Sequence, residues 1–398
     1  MPHLPPDRIS QMPSSPTPKP YPESKIHAID ALFECAGLQR NLRGKAAGVT
    51  GRMRFERLSR EELMTAAPVP RVAANGVQWL SVPNWEKTSL LWHGFSTRRG
   101  GLSRVFCGDD AQGELNLGFT APHGQAMDDR ETVAQNRRLL AEAISGDTTT
   151  PLIALRQIHS NLVVLADAGR EQPRKAGVPS SRGSQEAVLA SWGGRDRSSS
   201  LGWKADGLMT DEPGLLIGIQ TADCIPILVA DRKRRVVAAF HAGWRGTVKR
   251  IVESGIGRMR LAFGSRPEDL TASIGPGIGP CCYAVGEEML SSFESQFAYA
   301  RELFHEVYDS DPIRTRYPML FLTQRAPGHS DIGPSLHLDL AEANRRQLLA
   351  AGLKPRAIHL VGGCTSCRPE MFFSHRASEG RTGRMMSVIG IRPDASRH

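Results

Sequence analysis

The run Val236-Val-Ala-Ala-Phe-His241-Ala-Gly-Trp-Arg-Gly246 constrains the fold more than any other stretch of the chain. Its apolar residues extend over the length of a strand and deliver a histidine to the carboxyl end. Two glycines then bracket Trp244 and Arg245 before a helical pattern begins at about Thr247. Side chains held where a strand stops and a helix starts lie at the mouth of an α/β layer, where sites are usually built. A second run, Gly214-Leu-Leu-Ile-Gly-Ile-Gln-Thr-Ala-Asp223-Cys224-Ile-Pro226, ends on an acid and a thiol. A third, Leu152-Ile-Ala-Leu-Arg-Gln157-Ile-His159-Ser160, ends on another histidine.

One thiolate and two neutral imidazoles from His159, Cys224 and His241, with a fourth position open, match the pattern of a catalytic zinc site. The separations of 65 and 17 residues fit no zinc-finger spacing. Spacing alone also admits Cys224 as a small buried residue and the histidines as hydrogen-bonded core or rim groups. The same three residues also suit a metal-independent thiol hydrolase, with Cys224 as nucleophile and His241 or His159 as its base. Asp223 faces away from Cys224 if the strand continues regularly. It then orients a ligand histidine, acts as a general acid/base, or simply caps a turn.

The formal charge of +9 raises the question of nucleic acid. Residues 1–60 carry ten Lys/Arg against five Asp/Glu, and residues 168–202 carry six against three. Eight of the nine charges therefore fall on two segments rich in Pro, Ser or Gly, and a folded basic face for phosphate backbones is not expected. No apolar run has the length of a membrane span and no secretory leader opens the chain. Seven cysteines then read as thiols, ligands or nucleophiles in a reducing compartment. The chain is expected to be cytoplasmic, monomeric or a weak homodimer, with no nucleic-acid or membrane partner.

Residues 1–66 are expected to be a disordered or weakly helical N-terminal extension, and residues 67–398 one catalytic domain with an irregular insertion at about 168–202. Periodicity places strands at 79–82, 90–96, 152–157, 162–166, 215–219, 225–230, 236–240, 271–274, 358–361 and 386–391. Helices are expected over 128–143, 247–263, from about Val285, and over 340–351, the last capped by Asp339. Residues 98–101 read as a turn, and 225–230 with 236–240 as a hairpin. Strands and helices are intermixed without a regular βαβ beat, so the expected class is a mixed-sheet α/β domain.

Other candidates read less sharply. Cys281-Cys282 with Cys364-Thr-Ser-Cys367 supply four thiols for a structural zinc, but adjacent cysteines normally point apart. Ile274-Gly-Pro-Gly-Ile-Gly-Pro280 lacks the dinucleotide-loop spacing, and its prolines remove amide donors, so it reads as a rigid turn lining a pocket wall. Arg98, Arg99, Arg245 and Arg384 in glycine-flanked turns, and Arg376 in Phe372-Phe-Ser-His-Arg, are candidate anion clamps. A non-enzymatic scaffold built on the N-terminal tail remains a third class of function.

Taken together, His93-Gly-Phe-Ser-Thr-Arg, Leu115-Asn-Leu-Gly118, Ala205-Asp-Gly-Leu-Met-Thr, Gln220-Thr-Ala-Asp-Cys-Ile-Pro, Phe240-His-Ala-Gly-Trp-Arg-Gly-Thr, Ile274-Gly-Pro and Phe372-Phe-Ser-His-Arg resemble the YfiH-type proteins over about residues 90–395. That family was once described as a multicopper polyphenol oxidase (laccase-like) and is now regarded as zinc-binding purine nucleoside phosphorylases. The resemblance implies metal ligands at His159, Cys224 and His241. It also implies an α/β/β/α sandwich, with helices outside two packed mixed sheets. It further implies phosphorolysis of adenosine, inosine and methylthioadenosine with phosphate, and deamination of adenosine. Asp223 and Cys224 are the expected catalytic residues, and Arg98 or Arg245 the expected phosphate ligand. His375 departs from the family pattern, where relatives carry tyrosine. A copper-dependent phenol oxidase is the less favoured alternative, because the chain's 12 histidines include no His-x-His pair. Copper at the same Cys/His site is still compatible with its intrinsic affinity.

Overall fold

A computed structural model describes residues 55–60, 63, 68–107, 113–119, 127–166, 174–175, 203–308 and 335–394, all within the body Arg54–His398. Residues 1–54 lie outside the described residues, as does the insertion at 168–202 apart from the strand Arg174–Lys175. Within the stretch assigned to the N-terminal extension, a strand at Glu56–Ser59 pairs in parallel with residues 305–308.

In chain order the strands are β1 (Glu56–Ser59), β2 (Arg71–Val72), β3 (Gln78–Leu80), β4 (Leu91–Ser96), β5 (Arg99–Ser103), β6 (Leu152–Ala154), β7 (Val163–Leu165), β8 (Arg174–Lys175) and β9 (Gly207–Thr210). They continue with β10 (Leu216–Thr221), β11 (Ile225–Asp231), β12 (Val236–Ala242), β13 (Leu270–Ile274), β14 (Phe304–Tyr308), β15 (Ser335–Leu338), β16 (Ile358–Leu360) and β17 (Met385–Ile391). The α-helices are α1 (Pro83–Glu86), α2 (Arg130–Ser145), α3 (Trp244–Val248), α4 (Ile251–Phe263), α5 (Glu287–Glu294) and α6 (Leu340–Ala350).

Two mixed sheets form the centre. One has the order β2-β3-β4-β17-β10-β6 and the other β16-β13-β11-β12-β9-β7-β8, with a small sheet β1-β14-β15 beside them. Between the large sheets lie Phe95, Leu208, Ile217, Ile219, Leu228, Ala239 and Ile389, all buried. Outside the first, α2 covers Leu117, Leu216 and Val388. Outside the second, α4 and α6 cover Ile227, Val229, Ala238 and Phe240. This is the layered α/β/β/α sandwich with mixed sheets expected for the chain.

The layering explains why β11 and β12 read as unbroken apolar runs. Successive side chains alternate between faces, and here each face has a cover. Val237 and Ala239 enter the layer between sheets, whereas Ala238 and Phe240 enter the layer under the helices. A side chain at Gly255 of α4 would place its Cβ 2.3 Å from the Phe240 ring, so glycine sets the helix-to-sheet spacing.

Most element positions agree with the periodicity, including the β11–β12 hairpin and the Asp339 cap, whose carboxylate accepts the Glu342 N–H. Two readings are corrected. The helix expected over 247–263 is broken at Arg250, which takes a left-handed φ of 59° between α3 and α4. The turn expected at 98–101 is largely taken up by β5 (Arg99–Ser103), which bridges to Glu114 through backbone contacts that periodicity does not register. Among the described residues no helix is long and apolar enough to cross a membrane.

A buried histidine gives this core a pH dependence. His93 on β4 is 8% exposed, its Nε2 accepts the Val82 N–H at 3.1 Å, and it meets Trp85 edge-on. Burial lowers its pKa to about 4. Between about pH 6.5 and 4 the unfolded chain binds a proton that the folded chain refuses, so stability falls as pH falls through this window. Denaturant titrations should show a loss approaching about 3 kcal/mol across it, and His93→Gln should flatten that part of the curve. An equal slope in the variant would place the pH dependence elsewhere.

Candidate metal centre

Two connections carry the chain from the first large sheet to the second, and both leave the first sheet at the same end. β6 leads across to β7, and β10, its parallel neighbour, leads across to β11. In the second sheet β7 and β9 run parallel while β12 is antiparallel to both β9 and β11. The end of β12 therefore meets the beginnings of β7, β9 and β11. His159 stands on the first crossing, Asp223 and Cys224 on the second, and His241 near the end of β12. The crossings need sharp reversals, and His159 (φ 56°) and Asp223 (φ 90°) both occupy left-handed backbone. His and Asp tolerate that region better than branched residues, and strain of this kind concentrates at functional sites.

Asp206, just ahead of β9 and fully buried, fastens these pieces together. Its carboxylate accepts the backbone N–H groups of Ile158, His159 and Ser160 at 2.6–3.2 Å and the Ser160 hydroxyl at 2.6 Å. It also accepts Nδ1–H of His241 at 2.9 Å. Although burial opposes the charge, the hydrogen bonds from His241 and Ser160 hold its pKa below the ordinary value. With Nδ1 committed to Asp206, His241 has Nε2 left for a ligand, which is how a buried carboxylate fixes a metal-binding tautomer. A second tie comes from Gln157, whose amide donates to the Gln220 carbonyl and accepts the Gln220 N–H, each at 2.7 Å. That pair holds the first crossing against the end of β10.

The three donors fit a single ion. Cys224 Sγ lies 4.0 Å from His159 Nε2, and one ligand atom from each of His159, Cys224 and His241 falls within 4.8 Å of the others. Tetrahedral zinc with Zn–S of about 2.3 Å and Zn–N of about 2.0 Å sets S···N at about 3.5 Å, so a small closure suffices. The two imidazole rings stand edge to face, 5.0 Å apart. Gly243 makes room for them, because a Cβ there would lie 2.8 Å from Cys224 Sγ and 3.1 Å from His159 Cδ2. The electrostatics agree. Burial opposes ionisation of Cys224, but His241 and the His159 hydrogen bond bring its pKa down to about 6. Burial likewise opposes charge on His241, yet Cys224 and Asp206 raise it to about 9. Both shifts favour the thiolate, the form in which Cys224 would serve as a ligand to a divalent cation.

The centre sits in a cavity of about 820 Å³. Phe119, Trp244 and Tyr283 give it aromatic surface, and Arg130, Arg156, Arg245, Arg376 and Arg384 give it positive charge. Arg245 stacks over Trp244 at 4.3 Å. Arg384 is held by the carbonyls of Thr382 and Gly383, and burial lowers its pKa. His375 also lines this space.

Of the expected site residues, the structure brings His159, Cys224, His241, Asp223 and Arg245 into one cavity. Arg98 does not line it. Its guanidinium pairs with Glu114 at 2.7 Å, donates to the Pro369 and Phe106 carbonyls, and faces a separate cavity of about 490 Å³. Asp223 does not orient a histidine: its oxygens accept the Thr365 hydroxyl at 2.6 Å and the Arg376 N–H at 2.7 Å. The orienting acid is Asp206, which sequence reasoning missed. A usable signal existed, since Ala205-Asp206-Gly207 opens an apolar strand with a carboxylate that must find donors. Arg130, Arg156 and Tyr283 carried no local signal.

Residues 92–392 match the family described as "Multi-copper polyphenol oxidoreductase laccase". The chain belongs to this YfiH-type family. It is 33% identical over 304 residues to "Purine nucleoside phosphorylase YlmD" of Geobacillus stearothermophilus, covering 76% of this chain and 90% of that protein. It is 30% identical over 295 residues to "Adenosine deaminase RL5" from an unknown prokaryotic organism, covering 74% and 92% respectively. Among solved structures, the YfiH protein of Bacillus licheniformis superposes with a TM-score of 0.59 at 27% identity, covering 81% of this chain and 99% of that one. The relatives' names make this YfiH-type family one of enzymes, and the described residues of this member include a His/Cys/His set able to hold a metal ion.

Two substitutions test the centre. Gly243→Ala, at an ordinary φ of −71°, should abolish metal retention while leaving the melting temperature of the metal-free protein nearly unchanged, read by metal analysis and calorimetry. Asp206→Asn should weaken metal affinity about 10–100-fold, as loss of a ligand-orienting carboxylate does. Unchanged affinity in both would disconnect these residues from metal binding.

Proposed function

We propose that the chain is a zinc-dependent purine nucleoside phosphorylase. It would convert adenosine, inosine or methylthioadenosine, with phosphate, into free base and ribose 1-phosphate, and carry an accessory adenosine deaminase activity. The observation that carries this reading is a three-donor metal centre on the wall of a cavity that also gathers five arginines. Its volume lies in the range of about 300–1,000 Å³ typical of small-molecule sites. The names of the YlmD and RL5 relatives point to the two reactions.

A bound zinc ion supplies Lewis acidity and lowers the pKa of water. The chain's own groups account for the rest. Arg245, stacked on Trp244, is the proposed phosphate ligand in place of Arg98. In phosphorolysis a phosphate oxygen bonds to C1′ as the C1′–N9 bond breaks, and the electron pair leaves with the purine, which takes up a proton. Fixed guanidinium groups favour the phosphate's approach, while Phe119, Trp244 and Tyr283 offer apolar faces to the base. Tyr283 keeps its proton, because burial and then Cys224 push its pKa up to about 12. Asp223 holds Thr365 and the Arg376 amide in place beside Cys224, which supports the ligand. The free thiols among the described residues suit a reducing compartment, and the proposed location is cytoplasmic.

Zinc-replete protein given adenosine and phosphate should release adenine and ribose 1-phosphate, and without phosphate should release inosine and ammonia. Chelation should stop both, and zinc should restore both. The second reading, a thiol hydrolase, rests on Cys224 Sγ standing 4.0 Å from His159 Nε2 with His241 beside it, surroundings that lower the thiol's pKa. Activity indifferent to chelation would favour it over the phosphorylase.

A further inference from the structure

A second cluster of ligand-type side chains lies apart from the cavity lining. Cys281, Cys282, Cys364 and Cys367 come from two segments far apart in sequence, yet their sulfurs all fall within 4.8 Å of one another. Cys281 and Cys367 are 3.4 Å apart, and Cys282 and Cys367 are 3.3 Å apart. Cys281 and Cys364 are buried, 2% and 6% exposed, and the other two are half-buried.

The expectation that adjacent cysteines point apart is corrected by the local backbone. Residues 280–282 form a turn in which the Tyr283 N–H reaches the Gly279 carbonyl, a single helix-like loop. Neighbouring side chains there diverge by about 100° rather than by the half-turn of a strand. Both sulfurs therefore face Cys367. The partner segment is pinned by a bridge between Gly277 and Cys364 and by the Thr365 N–H on the Gly277 carbonyl at 2.9 Å. Gly279 permits the approach: a Cβ there would lie 3.1 Å from Cys364 Cβ and 3.3 Å from Cys281 Sγ.

We propose that these four cysteines form a second, structural metal site that takes one tetrahedral zinc ion. A Zn–S bond of about 2.3 Å sets S···S separations of about 3.8 Å, inside the span the four sulfurs already occupy. The two observed spacings of 3.3 and 3.4 Å are too long for a disulfide bond of about 2.05 Å. An iron–sulfur cluster needs its thiolates held around a core of several atoms, and this cluster is too compact for one. Four thiolates around a divalent cation leave net negative charge, and the Arg60 guanidinium lies 3.0 Å from Cys282 Sγ to offset part of it. Ile278, Leu63 and Tyr283 close the surroundings with apolar surface.

The site's consequence is mechanical. It clips the Gly275–Tyr283 turn to the 364–367 turn, and these segments carry Thr365, which donates to Asp223, and Tyr283, which lines the cavity. The Ile278 N–H also donates to the Asp223 carbonyl at 2.7 Å. The wall beside Cys224 is thus assembled on the clip, whatever substrate the cavity takes.

Full-length protein purified under reducing conditions, with loosely bound metal removed, should contain two zinc ions per chain by elemental analysis. X-ray absorption at the zinc edge should give about 2.5 sulfur neighbours per zinc, the average of a four-sulfur site and a one-sulfur site. Cys282→Ser/Cys367→Ser should bring the content to one zinc and the average towards one sulfur. His159→Ala should leave a zinc coordinated by sulfur alone, with no nitrogen neighbour. The wild-type measurement stands even if the double variant fails to fold. One zinc per chain with about one sulfur neighbour would overturn the proposal and leave the His/Cys/His centre standing. A pair of these cysteines found as a disulfide in protein isolated without oxygen, or iron in place of zinc, would also overturn it.

Discussion

One buried carboxylate decides whether the site exists. Asp206 gathers three consecutive backbone N–H groups, a hydroxyl and an imidazole, so the loop carrying His159 and the strand carrying His241 share one anchor. A fully buried carboxylate is tolerated only where hydrogen bonds replace its hydration. Here those bonds come from the segments that must converge, so satisfying the charge and assembling the ligands are the same event. Cys224 arrives independently, on the neighbouring crossing between the sheets, and the Gln157–Gln220 pair ties the two crossings together.

The two-sheet architecture makes this convergence natural. A strand that crosses between packed sheets must reverse within a few residues, and each crossing ends at the seam where two apolar layers open to solvent. Polar side chains at the seam meet one another before they meet water. The positive-φ residues His159 and Asp223 are the local cost of those reversals, and the close approach of Gly243 keeps the ligand atoms from being blocked. In the arginine-lined cavity beside them a soft ligand set, aromatic surface and positive charge coincide.

Much of this was legible in residues 214–246, because β10, β11 and β12 are covered on both faces and their apolar runs stop where the chemistry begins. His159, Cys224 and His241 could be named but not joined, since separations of 65 and 17 residues say nothing about the sheet crossings that unite them. Family resemblance supplied that step. What stayed hidden depends on partners distant in sequence. Arg98 resembled an anion clamp until Glu114 was found beside it, and Asp223 resembled a histidine partner until Thr365 and Arg376 claimed its oxygens. Cys281 and Cys282 misled through a strand-based assumption that the turn at 280–282 does not obey.

Anomalous diffraction from crystals of the zinc-loaded protein, recorded on both sides of the zinc edge, tests the central claim most directly. The account predicts a peak bonded to Cys224 Sγ, His159 Nε2 and His241 Nε2, with His241 Nδ1 still on Asp206. A peak bonded to His241 Nδ1 with Asp206 turned away, or no peak among these three side chains, would contradict it.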